Sequence, residues 1–439
     1  MKFFVGFFLF LRVLCASEQT EAFVAEPIFN ASVYIKTVGN PEKPAIVFVH
    51  GLGDEASTIW EQSISLLKEN YFVVTFDLPG FGKSSKANEL YSPQNYAKVV
   101  RFLTQTYVKK PFHLVGHSMG GAIALKYAHM YQEDVESLVL VSAAGILHKF
   151  AYGKSLAHNG INRFFDEKNG FIQGLQTQKL NNFIDKITDK IDNKITLDID
   201  RVLLSEDLRG VVLGGTPHTI AAVALVQENF NGIPQTINTK TTIIWGEEDG
   251  VAPLQTGYVL EKLMPNATLK IIPRSGHVPM LTHEEAFSHW LLEHLNTKTI
   301  FAKKVPKKET DAYHIKMKNV KDKIYTGNIA TMTVRDSQKV VIKDATIGEL
   351  AIFDSDVEII NSTIKGQKEL ILAVQNSSLS IVSSDIVGSI KLNNARLNLA
   401  GTTMSSRKKP IEAITPSTVI FSLCTINDKY KHGKEVFGR

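Results

Sequence analysis

Two hydrophobic periodicities divide this chain. In the first, short and nearly unbroken apolar runs alternate with stretches of helical spacing: 45–49, 71–76, 135–142, 241–245 and 268–272 read as strands, and 57–70, 92–105, 255–264 and 283–295 as helices. An apolar run without polar alternation is what a strand buried on both faces of a parallel sheet requires. Strands alternating with helices predict an α/β fold, a doubly wound and mostly parallel sheet whose functional groups gather at the C-terminal strand ends. The alternation stops at 144 and resumes near 236, and the interval carries helix-like pieces at 161–165, 179–191 and 220–230. Residues 27–143 and 236–297 are therefore expected to form the core, and 144–235 a helical cap inserted into it.

The second periodicity begins after a lysine-rich stretch at 298–323, read as a linker. Polar corners at Asp336-Ser337, Asp354-Ser355, Asn376-Ser377, Asn394-Ala395 and Pro416-Ser417 recur at intervals of 18, 22, 18 and 22. A second set, offset from the first, falls at Asp344, Asn361, Ser383, Ala400-Gly401 and Leu423-Cys424, with β-type runs such as 357–359, 379–381 and 397–399 between them. Two strands and two corners per repeat predict an all-β domain over 324–426, a parallel β-solenoid in which Asn and Ser corners stack in ladders. An antiparallel sandwich is the alternative, and 427–439 reads as a tail.

Chemistry concentrates at Gly116-His117-Ser118-Met119-Gly120-Gly121. Apolar Phe112, Leu114 and Val115 precede it, and the helix-forming residues 122–128 follow. A strand that turns this sharply into a helix holds its central residue in strained backbone, which needs small neighbours such as Gly116 and Gly120, and it lifts the Ser118 hydroxyl clear of the sheet edge. A serine hydroxyl is a poor nucleophile at neutral pH and needs a base within hydrogen-bond reach. Asp249 and His277 each lie just past a later strand, on the same edge, so the chain order is nucleophile, acid, base. Glu247 or Glu248 could replace Asp249 as the acid. His50 and His117 are expected to pack and hydrogen-bond around the site rather than carry protons, and Asp77 and Ser84 to shape their loop.

These motifs resemble the α/β-hydrolase superfamily. His50-Gly51, the run from Asp77 to Ser84, the Ser118 turn, Trp245-Gly246-Glu247-Glu248-Asp249 with Pro253, and Gly276-His277-Val278-Pro279 match it in order and at its spacing. The resemblance is greatest to lid-bearing serine esterases, monoacylglycerol-type lipases and carbon–carbon bond hydrolases. It implies a Ser118–His277–Asp249 triad acting on a carboxylic ester through an acyl-enzyme, with an oxyanion hole made of the backbone N–H groups of Leu52 and Met119. A serine at 118 disfavours the members of that fold that use a carboxylate nucleophile. His50, Gly51, His117, Phe164, Phe165 and Phe183 are candidate pocket residues, and Phe230 a further one. An acyltransferase on the same triad is an alternative, as is a solenoid adhesin with a silent hydrolase domain.

Composition narrows this further. A net charge of +5 over 439 residues is too small and too dispersed for nucleic acid. The histidines at 283, 289 and 294 do not converge on a metal, and no cofactor is expected. The expected partner is a small-molecule or lipid ester, with envelope or glycan contact assigned to the repeat domain. Lys2, the apolar run from Phe3 to Leu11 and a cleavage point after Ala16 read as a signal peptide over 1–16, hence an exported protein. Arg12 interrupts the apolar run, Cys15 admits a lipoprotein reading, and a retained N-terminal anchor is the other alternative. If cleavage occurs, Cys424 is the one cysteine left.

Overall fold

The computed structural model describes residues 19–108, 111–148, 198–297 and 312–438. The first half runs β1 (Gln19–Glu26), β2 (Ala31–Val38), β3 (Ala45–Val49), α1 (Glu61–Leu67), β4 (Phe72–Phe76), α2 (Pro93–Tyr107), β5 (Phe112–His117), α3 (Met119–Met130) and β6 (Val135–Val141). The helices α4 (Ile199–Leu204), α5 (Glu206–Leu213) and α6 (Pro217–Gln227) precede β7 (Thr241–Gly246), α7 (Gln255–Leu263), β8 (Ala267–Ile272), α8 (Pro279–Thr282) and α9 (Glu284–Asn296). The eight strands pair in the order β1-β2-β4-β3-β5-β6-β7-β8, antiparallel at β1–β2 and β2–β4 and parallel from β4 to β8.

Alternate residues of one strand serve opposite layers. Ile46 and Phe48 pack with Trp60 and Ile64 on the α1–α9 side. Val47 and Val49 pack with Val100, Leu125 and Val259 on the side of α2, α3 and α7. That two-sided burial is why 45–49 carries no polar position.

β1 lies ahead of the expected core boundary at 27. Its outward residues are exposed, as an edge strand covered on few sides allows, and its apolar run is limited to Ala22 to Ala25. Among the described residues no single helix is long and apolar enough to cross a membrane.

The second half is all strand: β9 (Tyr313–Lys318), β10 (Lys321–Arg335), β11 (Gln338–Phe353), β12 (Asp356–Ile360), β13 (Thr363–Gln375), β14 (Ser378–Val382), β15 (Asp385–Asn393), β16 (Arg396–Ala400), β17 (Thr403–Ser405), β18 (Ile411–Ala413), β19 (Ser417–Ile426) and β20 (Lys429–Phe437). Each strand pairs in parallel with its equivalent one coil on, as β12–β14–β16–β19 and β11–β13–β15 do. This is the solenoid-like arrangement and not the antiparallel sandwich; among the described residues of this half only β20 returns antiparallel, on β19.

The corners work as their residue types suggest. Asp336, Asp354, Asn376 and Asn394 all have φ of 47° to 48°, a left-handed region that Asp and Asn tolerate better than other side chains. They are stacked: Asn394 Nδ2 donates to Asn376 Oδ1 at 3.0 Å, and Asn376 Nδ2 to Asp354 Oδ1 at 3.2 Å. The serines beside them form a second ladder, Ser337 N donating to Ser355 Oγ and Ser355 N to Ser377 Oγ, both at 3.0 Å. Val340, Ile342, Ile359, Leu379, Ile381, Leu397 and Leu399 fill the interior and are fully buried.

Two boundaries shift. The lysine-rich stretch expected to be linker up to 323 already supplies β9 and the start of β10, because Ile315 and Met317 alternate with its lysines and turn inward. Residues 429–437, expected to be tail, are a strand. Cys424 lies inside the repeat, its Sγ donating to Leu399 O at 3.2 Å, and burial pushes its thiol up to about 11.

Candidate active site

The turn between β5 and α3 is built from backbone crowding. Ser118 adopts φ 55° and ψ −120°, outside the ordinary left-handed basin, and the surrounding chain holds it there. Its N–H donates to Val141 O, and its carbonyl accepts from Gly121 N and Ala144 N, each at 3.0 Å. A Cβ on Gly116 would run into the Gly120 carbonyl, and one on Gly120 into the carbonyls of Val49 and His50. Gly51 brings the loop after β3 against the same turn: a Cβ there would stand 2.7 Å from Ser118 Cβ.

Three loops then meet. His277 Nε2 lies 2.9 Å from Ser118 Oγ, and His277 Nδ1 lies 2.9 and 3.1 Å from the two carboxylate oxygens of Asp249. The network fixes the tautomer: Nδ1–H donates to Asp249, and Nε2 is left to accept the Ser118 proton. Asp249 is anchored in its turn, Oδ1 accepting from Val251 N at 2.9 Å and Ala252 N at 2.8 Å. Its side chain is fully buried and that of His277 is 17% exposed, so the imidazole is the member open to an incoming molecule. Glu247 is turned elsewhere, accepting from Arg274 N at 3.2 Å.

The surrounding groups fall into place around this line. His50 donates from Nδ1 to Gly51 O at 2.7 Å and accepts Leu78 N–H at Nε2, at 2.9 Å. Burial pushes its pKa down to about 4, so it is a neutral strut between two loops. His117 donates from Nε2 to the His277 carbonyl at 2.9 Å, and burial holds its pKa well below the usual histidine range. Its Nδ1 is buried without a hydrogen-bond partner among the described residues. Sequence reasoning placed His117 near the site but missed this tie to the backbone of the base. Asp77 accepts from Ser57 N and Lys83 N, and Ser84 Oγ donates to Asp77 O, so both shape their loop.

Met119 N is a first-turn donor of α3 next to Ser118, and Leu52 follows Gly51 in the loop brought against the same turn. Phe230, a candidate for the pocket, is fully buried in the core beneath Lys126 Nζ, 5.1 Å from its ring centroid. Lys126 pairs there with Glu228 at 2.7 Å, tying α3 to the chain that leaves α6. Phe164, Phe165 and Phe183 lie outside the described residues.

Residues 44–284, more than half of the 439, match the family model of the alpha/beta hydrolase fold, and the chain belongs to that family. Its curated relatives include hydrolases of two chemistries. The 2-hydroxy-6-oxononadienedioate/2-hydroxy-6-oxononatrienedioate hydrolase of Comamonas testosteroni is 29% identical over 61% of this chain and 92% of its own length. The pimeloyl-[acyl-carrier protein] methyl ester esterase of Chromobacterium violaceum is 26% identical over 61% of this chain and 99% of its own. Among solved structures, a bacterial membrane phospholipase A is 26% identical over 64% of this chain and 87% of its own, at a TM-score of 0.47. Each of the three leaves more than a third of the chain unmatched.

Proposed function

We propose that this chain is a serine hydrolase that cleaves carboxylic esters through an acyl-enzyme on Ser118. The observation that carries the reading is the unbroken line from Ser118 Oγ through His277 to Asp249, with hydrogen-bond distances of 2.9 Å at both steps. His277 Nε2 takes the hydroxyl proton as Oγ attacks the ester carbonyl. The negative charge that develops on the carbonyl oxygen faces the N–H groups of Leu52 and Met119. The imidazolium then protonates the leaving alcohol, and water repeats the sequence to release the acid. The esterase relative supports the ester assignment.

The carbon–carbon bond hydrolase relative favours a second reading, in which the same groups act on a dione acid. Labelling with a fluorophosphonate probe tests the nucleophile: the parent chain is expected to label and Ser118→Ala not to. A Ser118→Ala chain that still labelled or turned over at the parent rate would end the reading. Comparing a short chromogenic ester with a vinylogous dione acid separates the two chemistries.

A further inference from the structure

The repeat domain is seated on the hydrolase along a face that its own register builds. Parallel pairing places Lys343, Ile360, Val382, Ala400 and Ser422 in one column, one residue per coil, just before the second set of corners. Every member of that column meets the hydrolase. Lys343 Nζ donates to Tyr258 Oη at 2.8 Å. Ile360, Val382 and Ala400 are buried in the same apolar cluster as Val259 and Leu260 of α7. Ser422 Oγ accepts from His148 N at 3.1 Å.

The next residue of three coils continues the contact. Ser383 Oγ donates to Tyr258 O at 2.9 Å, Leu423 is buried in the shared cluster, and a Cβ on Gly401 would stand 2.8 Å from Val259 Cγ1. At the rim Lys262 pairs with Asp385 at 2.6 Å, and Gln255 Nε2 donates to Glu358 Oε1 at 2.9 Å.

What is held matters more than how tightly. α7 begins at Gln255, and the turn between it and β7 is the one that anchors Asp249, with Trp245 Nε1 donating to Ala252 O at 2.9 Å within it. The helix has the sheet on one side and the repeat domain on another, so it cannot shift without opening apolar contacts on both. The two stems of the cap insertion are gripped as well. His148, early in the insertion, has its ring 4.9 Å from that of His432 on β20; Gly232, after α6, lies against the Tyr430 ring.

We infer that the repeat domain is a positioning element of the active site: its docked column seats α7, and through α7 the Asp249 turn, while β20 braces both stems of the cap insertion. This rests on the serine-hydrolase reading. Displacing a catalytic group by a fraction of an ångström to an ångström is enough to slow the chemical step on the order of 10²-fold.

The experiment uses the full-length chain with Ala400→Glu, with Lys262→Glu, and with Lys262→Glu paired with Asp385→Lys. Labelling rate, kcat, KM and hydrogen exchange over residues 249–263 are measured on each. Ala400→Glu is expected to speed exchange in α7 and to lower kcat and labelling on the order of 10²-fold, with KM changed less than about threefold. Lys262→Glu, at the rim and gentle on folding, is expected to lower both rates about threefold, and the swapped pair to restore them. Unchanged exchange in α7 would overturn the inference, as would faster exchange with unaltered kcat and labelling. If the parent chain does not label, the serine-hydrolase reading fails first and takes this one with it.

Discussion

The nucleophile turn and the repeat corners both place non-glycine residues at positive φ, and they do so for opposite reasons. Asp354, Asn376 and Asn394 sit in a left-handed conformation suited to their side chains, and the two asparagines each donate to the corner of the preceding coil. Ser118 has the same sign of φ, but its ψ of −120° belongs to no basin that a serine prefers. Nothing about a serine favours that geometry; the crowding of Gly51, Gly116 and Gly120 and the hydrogen bonds to Val141, Gly121 and Ala144 impose it. Conformation is structural where it repeats and chemical where it is singular. The corner conserves free energy by matching residue to backbone, whereas the elbow spends some to expose one hydroxyl.

Ser118→Gly gives the sharpest break between the two. It is expected to abolish ester turnover, on the order of 10⁶-fold, while raising thermal stability by about 1 kcal/mol as the strain is released. Activity assay and thermal midpoint on the same preparation check both halves, and a lower midpoint would mean that the elbow is not strained.

The next largest effect separates the halves by acid. His50 and His294 are buried in the hydrolase with pKa values pushed down to about 4 and about 3, both chiefly by desolvation. A histidine whose folded pKa is depressed stabilises the fold fully above its unfolded pKa, and that contribution falls as pH drops from about 6.5 toward the folded value. At pH 5 each is expected to have cost about 2 kcal/mol relative to pH 7. Hydrogen exchange at the two pH values should therefore show the hydrolase sheet loosening ahead of the corner ladders. Equal loosening in both halves would erase the distinction.

The smallest effect lies in the corners. Asn376→Ala removes two ladder bonds and leaves alanine in the left-handed region, a loss of about 1–2 kcal/mol, whereas Asn376→Gly should lose less, since glycine accepts that conformation freely. Chemical denaturation of both variants measures the difference.

Legibility follows the same division. The elbow could be read because glycines must flank it, and the corners because their spacing recurs. The positions of Asp249 and His277 could be read because strand ends carry them to one edge. β1 was missed because its apolar stretch, Ala22 to Ala25, is short, is flanked by polar residues and leaves Phe23 exposed at the sheet edge. The docked column was hidden differently: Ile360, Val382 and Ala400 look like any inward apolar residue of the repeat, and only register shows that they face the hydrolase. Phe230 was a candidate for the pocket, since an aromatic in a cap fits one as well as it fits a core, and it packs in the core where Lys126 lies over its ring. His117 Nε2 on the His277 carbonyl had no sequence signal, since the two lie 160 positions apart.

The buried thiol of Cys424 has a practical consequence. Held to a carbonyl of the neighbouring coil and unwilling to ionise, it is shielded from alkylating reagents for as long as the stack around it stays shut. A timed pulse of such a reagent, read by mass on the peptide that carries it, would clock how often the coils breathe apart, without any engineered label.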